Sequence, residues 1–203
     1  MEEQTYTATA LFVLCGSYLR VAAALGAALR TLQSRGLFLK FQMGWVEAVV
    51  TPEPVVLAVV TSLLAVWQLD RDAVSALEVA GAAVGAALVL AAWGLTLWSF
   101  LSWRTIFFGH GVREDQELVT TGAYGFVRHP VYLGVLMIWL GLAATFLSAT
   151  ALLVAAVYVI PMYVLYMLSE EKMMVDAFRD AYRGYRRAVP MLIPYFPPRA
   201  KRS

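Results

Sequence analysis

The sequence predicts an all-α integral membrane protein, with about five transmembrane helices and a C-terminal amphipathic cytosolic helix. Three observations predict it. The 203 residues are 61% hydrophobic and 15% charged, with mean hydropathy +0.68; a soluble domain of this length needs far more charge to cover itself. The apolar residues gather into long runs rather than scattering along the chain. The basic residues gather at the ends of alternate runs, as they do in multi-pass proteins.

A span needs roughly 20 apolar residues, and five runs qualify or nearly do. The first, about Thr5–Leu29, is interrupted by Arg20. The second, about Val55–Leu69, is short, and helix entry at Pro52 or Pro54 would lengthen it. The third, about Val74–Leu101, is long and rich in small residues. The fourth, about Val131–Phe146, and the fifth, about Ala149–Leu168, are separated by a few residues near Leu147-Ser148 and should form a tight hairpin. Pro161 removes a backbone hydrogen bond inside the fifth and should kink it.

Orientation follows from the cations. Arg30, Arg35 and Lys40 follow the first run, and Arg104, Arg113 and Arg128 the third. Lys172 and the seven basic residues from Arg179 to Arg202 follow the fifth, while Arg71 lies on the opposite side. The expectation is an N-terminus outside and a C-terminus in the cytosol. The start Met1-Glu2-Glu3 lacks the basic segment of a signal peptide, so the first run is expected to be retained. The net charge of +2 is too small to argue for nucleic acid. Cys15, the single cysteine, sits in an apolar run, which excludes an intrachain disulfide and a cysteine metal cluster; no metal is expected.

Three features are open to two readings each. Gly81 and Gly85 with the surrounding alanines form a small-xxx-small stripe, which serves either a homodimer or packing within the monomer. Arg20 either lines a functional cavity or, the reading favoured here, snorkels to the cytosolic interface. Glu78 either sits near the outer interface, the reading favoured here, or has a functional role.

Two polar clusters stand out at the expected cytosolic face. Thr120–Gly134, TTGAYGFVRHPVYLG, sets Arg128, His129 and Pro130 before the fourth run. Pro130 fits a first helical turn, and a helix N-terminus with Arg128 beside it suits an anion such as a carboxylate. Gly122, Tyr124 and Gly125 make a turn-rich aromatic approach, and Tyr132 places a phenol just inside the membrane edge. The second cluster, Ser169-Glu170-Glu171-Lys172, begins where the fifth run ends. Ser169–Arg187 reads as an amphipathic helix: Met174, Phe178, Tyr182 and Tyr185 share a face, opposite Lys172, Asp176, Arg179 and Arg183. Taking about 100° per residue, Glu170 and Glu171 flank the aromatic stripe. Helix capping by Ser169 and its acids is the structural alternative, and an interfacial aromatic belt is the alternative for the tyrosines.

Leu118-Val119-Thr120-Thr121-Gly122-Ala123-Tyr124, then Arg128-His129-Pro130-Val131-Tyr132-Leu133-Gly134, resembles the signature of the isoprenylcysteine carboxyl methyltransferase family, which is related to phospholipid methyltransferases. Glu170-Glu171, Phe178, Tyr182, Tyr185, Val189-Pro190 and Pro194 extend the resemblance over about Leu95–Pro197. It implies two regions: 1–94 with N-terminal transmembrane helices, and 95–203 with a cofactor-binding region containing hairpin 131–168 and helix 169–187. It implies S-adenosyl-L-methionine as cofactor on the cytosolic side. Leu118, Val119, Gly122, Tyr124, His129, Pro130, Tyr132, Glu170, Glu171, Tyr182 and Tyr185 would be near it. Arg128, His129 and Glu171 are the candidates for catalysis, with His129 or Glu171 taking a proton if the acceptor is an amine or thiol.

The implied acceptor is lipidic or amphipathic, the carboxylate of an isoprenylcysteine among the candidates. Three positions depart from the eukaryotic pattern. Tyr163–Leu168 has no arginine, Arg179 stands where glycine is usual, and Glu114, Asp115, Gln116 and Glu117 replace histidines. Phospholipid or small-molecule N- or S-methylation, a nicotinamide-dependent sterol-type reductase, and a non-catalytic membrane scaffold are the alternatives.

Overall fold

A computed structural model describes residues 2–33, 38–41, 45–69, 73–103, 111–113 and 116–194. Helix α1 (Glu2–Gln33) opens the chain, followed by strand β1 (Phe38–Phe41), the short α2 (Trp45–Val50), α3 (Glu53–Leu69) and α4 (Ala76–Ser102). Strand β2 (Gly111–Arg113) pairs antiparallel with β1, a small ribbon that hydropathy does not announce. Then come α5 (Ala123–Phe126), α6 (Pro130–Thr145), α7 (Ala149–Val154), a π-helical turn (Ala155–Val159) and α8 (Ile160–Ala188).

All five expected apolar segments are helical. Four helical stretches are long and apolar enough to cross a membrane: Glu2–Ala27, Ala48–Gln68, Ala76–Ser102 and Ala149–Ala188. The fifth, α6, has 16 residues, about 24 Å of helix against a hydrocarbon core of about 30 Å. Its burial explains its tolerance: Val135, Ile138, Trp139, Gly141 and Leu142 are all buried, as expected of a helix apolar on every side. Outer helices carry the exposed apolar residues, among them Leu19, Leu63, Leu90 and Leu97.

The seam of α4 and α6 decides the glycine question. A side-chain carbon on Gly85 would collide with Thr145 Oγ1 and lie 2.5 Å from the Gly141 carbonyl; one on Gly81 would strike the Ala144 carbonyl. Both glycines face α6 of the same chain, which is the packing within the monomer offered as one of the two readings of the stripe.

Three local features refine the helices. First, helix α3 begins at Glu53, with Val55 and Val56 amides bonded to the Pro52 carbonyl at 3.0 Å, so the prolines do set its entry. Glu53 itself is 0% exposed. Second, 169–187 is not a separate helix: α8 runs through it from Ile160, so Ser169 caps nothing and the capping alternative for Glu170 and Glu171 falls. A break does occur at Arg179, whose φ of 50° and ψ of −119° leave the helical region. Third, Pro161 acts one turn upstream, through the π-helical turn 155–159, which takes up the crowding at the carbonyl it faces.

Arg20 is also corrected. It pairs with Glu53 at 3.4 Å inside the bundle rather than snorkelling outward. Glu78 is a capping-box residue of α4, its carboxylate accepting from the Ser75 amide at 2.8 Å. The hairpin is as tight as expected: Leu147 takes φ 44°, and the Ser148 side chain accepts from the Ala151 amide at 3.1 Å to start α7. Of the cations used for orientation, Arg35, Arg71, Arg104, Arg199, Lys201 and Arg202 lie outside the described residues, as do Glu114 and Asp115.

Candidate active site

The loop before α6 is shaped by Gly122. Its φ of 62° favours glycine, and a side chain there would run into Ser102, whose hydroxyl accepts from the Ala123 amide at 3.0 Å. That contact ties the loop to the end of α4. The Tyr124 carbonyl then accepts from the Tyr185 hydroxyl at 2.7 Å, and the Tyr124 ring meets Trp103 edge-on at 5.7 Å. Burial, followed by the charges of Glu170 and Tyr185, pushes the Tyr124 phenol well above its ordinary value.

After the loop the backbone is clamped. The Arg128 and His129 amides donate to the Pro190 and Met191 carbonyls at 2.8 and 3.2 Å, so the chain end beyond α8 lies against the start of α6. Pro130 then opens α6 without an amide to satisfy, as the sequence implies.

Around that clamp sit the charges. Arg128 Nη2 lies 2.6 Å from Glu171 Oε1, and its Nε donates to the same oxygen at 2.7 Å. Its Nη1 donates to the Val189 carbonyl and to the Arg186 carbonyl at 3.1 Å. Every nitrogen of the Arg128 fork is therefore engaged within the protein. With these contacts Arg128 braces α8 against the α6 start. Arg186 Nε pairs with Glu171 Oε2 at 3.1 Å. Glu171 is 2% exposed and shared by two arginines and by His129 Nε2 at 3.3 Å.

Glu170 is different. Its carboxylate is about a quarter exposed, accepts from the Tyr132 hydroxyl at 3.0 Å and lies 3.6 Å from His129 Nδ1. His129 stacks on Tyr132 at 5.6 Å, and Tyr132 in turn packs against Tyr163 and Tyr166 at 5.3 and 5.7 Å. Tyr182 and Tyr185, 5.7 Å apart, build a second aromatic wall with Val189, Leu118, Met174 and Phe178. Val119 is half-buried in the loop. The helical phase was read correctly: Lys172, Asp176, Arg179 and Arg183 are exposed while Glu171, Tyr182 and Tyr185 are buried.

Sequence reasoning missed one part of this site and one buried acid outside it. Arg186 was counted only as one of a row of cations, yet it completes the Glu171 cage and lines a cleft of 270 Å³ with Arg183 and Arg187. Glu53 was passed over between two prolines; an acid at membrane depth was the available signal.

Fold and site define a multi-pass helical membrane protein with a charged, aromatic-walled site where its helical hairpin leaves the apolar layer. The chain belongs to the phospholipid methyltransferase family, whose model matches residues 80–181, half of the chain. It is 47% identical over 73 residues to methanethiol S-methyltransferase 1 of Bradyrhizobium diazoefficiens, covering 36% of this chain and 24% of that protein. To the protein-S-isoprenylcysteine O-methyltransferase of Schizosaccharomyces pombe it is 33% identical over 84 residues, 41% of this chain and 36% of that one. To the methanethiol S-methyltransferase of Crocosphaera subtropica it is 39% identical over 77 residues, 37% and 29% of the two chains. The matches thus span between a quarter and just over a third of these relatives' lengths.

Proposed function

We propose that this protein is an S-adenosylmethionine-dependent methyltransferase acting at the cytosolic membrane boundary on a lipidic or amphipathic acceptor. The observation that carries the reading is the partly exposed Glu170 carboxylate, anchored by Tyr132 and facing His129, in a chain of this family. The residues present fit the cofactor. Glu170 offers acceptor oxygens to ribose hydroxyls or an ammonium, and the Tyr132 ring offers a face to a sulfonium. In the cleft lined by Arg183, Arg186 and Arg187, Arg183 pairs with Asp180 and Arg186 with Glu171, and Arg187 offers a cation to an anionic group.

When bound, the cofactor supplies an activated methyl: the acceptor's lone pair forms the new bond as the carbon–sulfur bond breaks and its electrons return to sulfur. This chain's residues have to orient the acceptor and keep water away. A carboxylate acceptor needs no base. A thiol acceptor must lose a proton, and His129 is the group placed to hold it, because Glu171 is locked between two arginines. A methanethiol S-methyltransferase and an isoprenylcysteine O-methyltransferase both occur among the relatives' names.

Calorimetric titration of the detergent-solubilised chain with S-adenosylhomocysteine tests the reading. Binding by the wild type, lost in Glu170→Ala, is expected; no binding by the wild type would overturn it. Mass spectrometry of native membranes incubated with labelled cofactor identifies the acceptor.

A further inference from the structure

Arg20 and Glu53, which precede the family-matched residues, form a buried polar cluster with Trp139 and Tyr163, which lie within them. Glu53 at the start of α3 is 0% exposed. Trp139 Nε1 from α6 donates to its Oε1 at 2.9 Å, and the Tyr163 hydroxyl from α8 donates to its Oε2 at 3.2 Å. Arg20 Nη2 from α1 lies 3.4 Å from the same oxygen and donates to the Tyr163 hydroxyl at 3.3 Å. Arg20 Nε is buried with no hydrogen-bond partner among the described residues, so Glu53 and Tyr163 are what hold the guanidinium.

Such a cluster is a poor device for stability alone, since a well-packed apolar group of similar volume often stabilises as much or more. Its position suggests another use. The Tyr163 ring lies 5.3 Å from Tyr132, which stacks on His129 at 5.6 Å and donates to Glu170 at 3.0 Å. One layer of aromatic rings therefore separates Glu53 from the groups assigned to the cofactor.

We propose that Glu53 and Arg20 are positioning residues of the methyltransferase site: they fix the Tyr163 phenol, Tyr163 fixes the Tyr132 ring, and Tyr132 sets Glu170 and His129. The proposal deepens the methyltransferase reading and rests on it for what the site binds, though not for the coupling itself. It makes α1 and α3 part of the site.

The chain has two histidines, His110 and His129, so isotope-labelled histidine in nanodiscs gives a direct readout, with His110→Gln assigning the signals. Glu53→Gln and Tyr163→Phe are each expected to move the His129 ring signals. The double variant is expected to move them no further than the larger single change, since both act through one hydrogen bond. Tyr158→Phe, which removes a bond to the Val49 carbonyl, should leave them in place. His129 signals unmoved by Glu53→Gln and Tyr163→Phe, or moved as far by Tyr158→Phe, overturn the proposal. If Glu53→Gln does not fold, Tyr163→Phe decides, because it keeps the ring and the other donors to Glu53.

Affinity for S-adenosylhomocysteine is the second arm, expected to weaken about tenfold in both variants. Wild-type affinity in both overturns the proposal. A wild type that binds none overturns the methyltransferase reading instead, and the His129 signals then decide the coupling.

Discussion

Arg128 and Glu171 meet at 2.6 Å with side chains 9% and 2% exposed, and their contact holds the middle of α8 against the start of α6. Arg128 adds bonds to the Val189 and Arg186 carbonyls. One guanidinium thus satisfies a buried acid and two main-chain acceptors at the point where the hairpin and the chain end converge.

Removing that cation leaves Glu171 with Arg186 and His129 alone. Arg128→Ala is expected to destabilise the protein by about 3–5 kcal/mol, the usual cost of stripping one partner from a buried pair. Arg128→Lys should recover part of this, because a single ammonium cannot replace the fork. Thermal unfolding followed by fluorescence-detected gel filtration in detergent measures both.

The glycine seam gives a second expectation. Gly85→Val drives a branched side chain into Thr145 and the Gly141 carbonyl and should cost at least about 1–3 kcal/mol through overpacking. A methyl on Gly94 meets nothing within 4 Å, so Gly94→Ala should fold normally and gain slightly in helix propensity. The yield of monodisperse protein separates the two.

Arg179 occupies a backbone conformation that favours glycine, with φ 50° and ψ −119°. Arg179→Gly is expected to raise stability by about 1 kcal/mol by relieving it. The side chain is exposed, so little packing is lost. Equilibrium unfolding in mixed detergent and denaturant is the measurement, and an unchanged or lowered midpoint would contradict a strained residue.

Tyr124 predicts alkaline behaviour. Its ordinary value is 10.0, and burial with neighbouring Glu170 and Tyr185 raises it in the folded chain. Folding therefore retains a proton that the unfolded chain releases above about pH 10. This contribution to stability is full below that pH and is lost as pH rises towards the folded value. Stability should fall above about pH 10, and less steeply in Tyr124→Phe, when unfolding midpoints are compared from about pH 9 to about pH 11.

Hydropathy and helical phase sufficed for the class of fold and its helical segments, and the two motifs named most residues of the candidate cluster. Apolar run length answers to bilayer thickness, and the 100° step alone puts Glu170, Glu171, Tyr182 and Tyr185 near one face; both are local properties. The roles of single charges were not local. Whether Arg128 is a free fork or a brace depends on carbonyls 58 and 61 residues away. Whether Arg20 snorkels depends on Glu53, and whether Gly85 faces a second copy depends on Thr145 and Gly141. Periodicity tells which way a side chain points along its own helix; only packing decides which partner it meets there, and for a buried charge that partner determines its use.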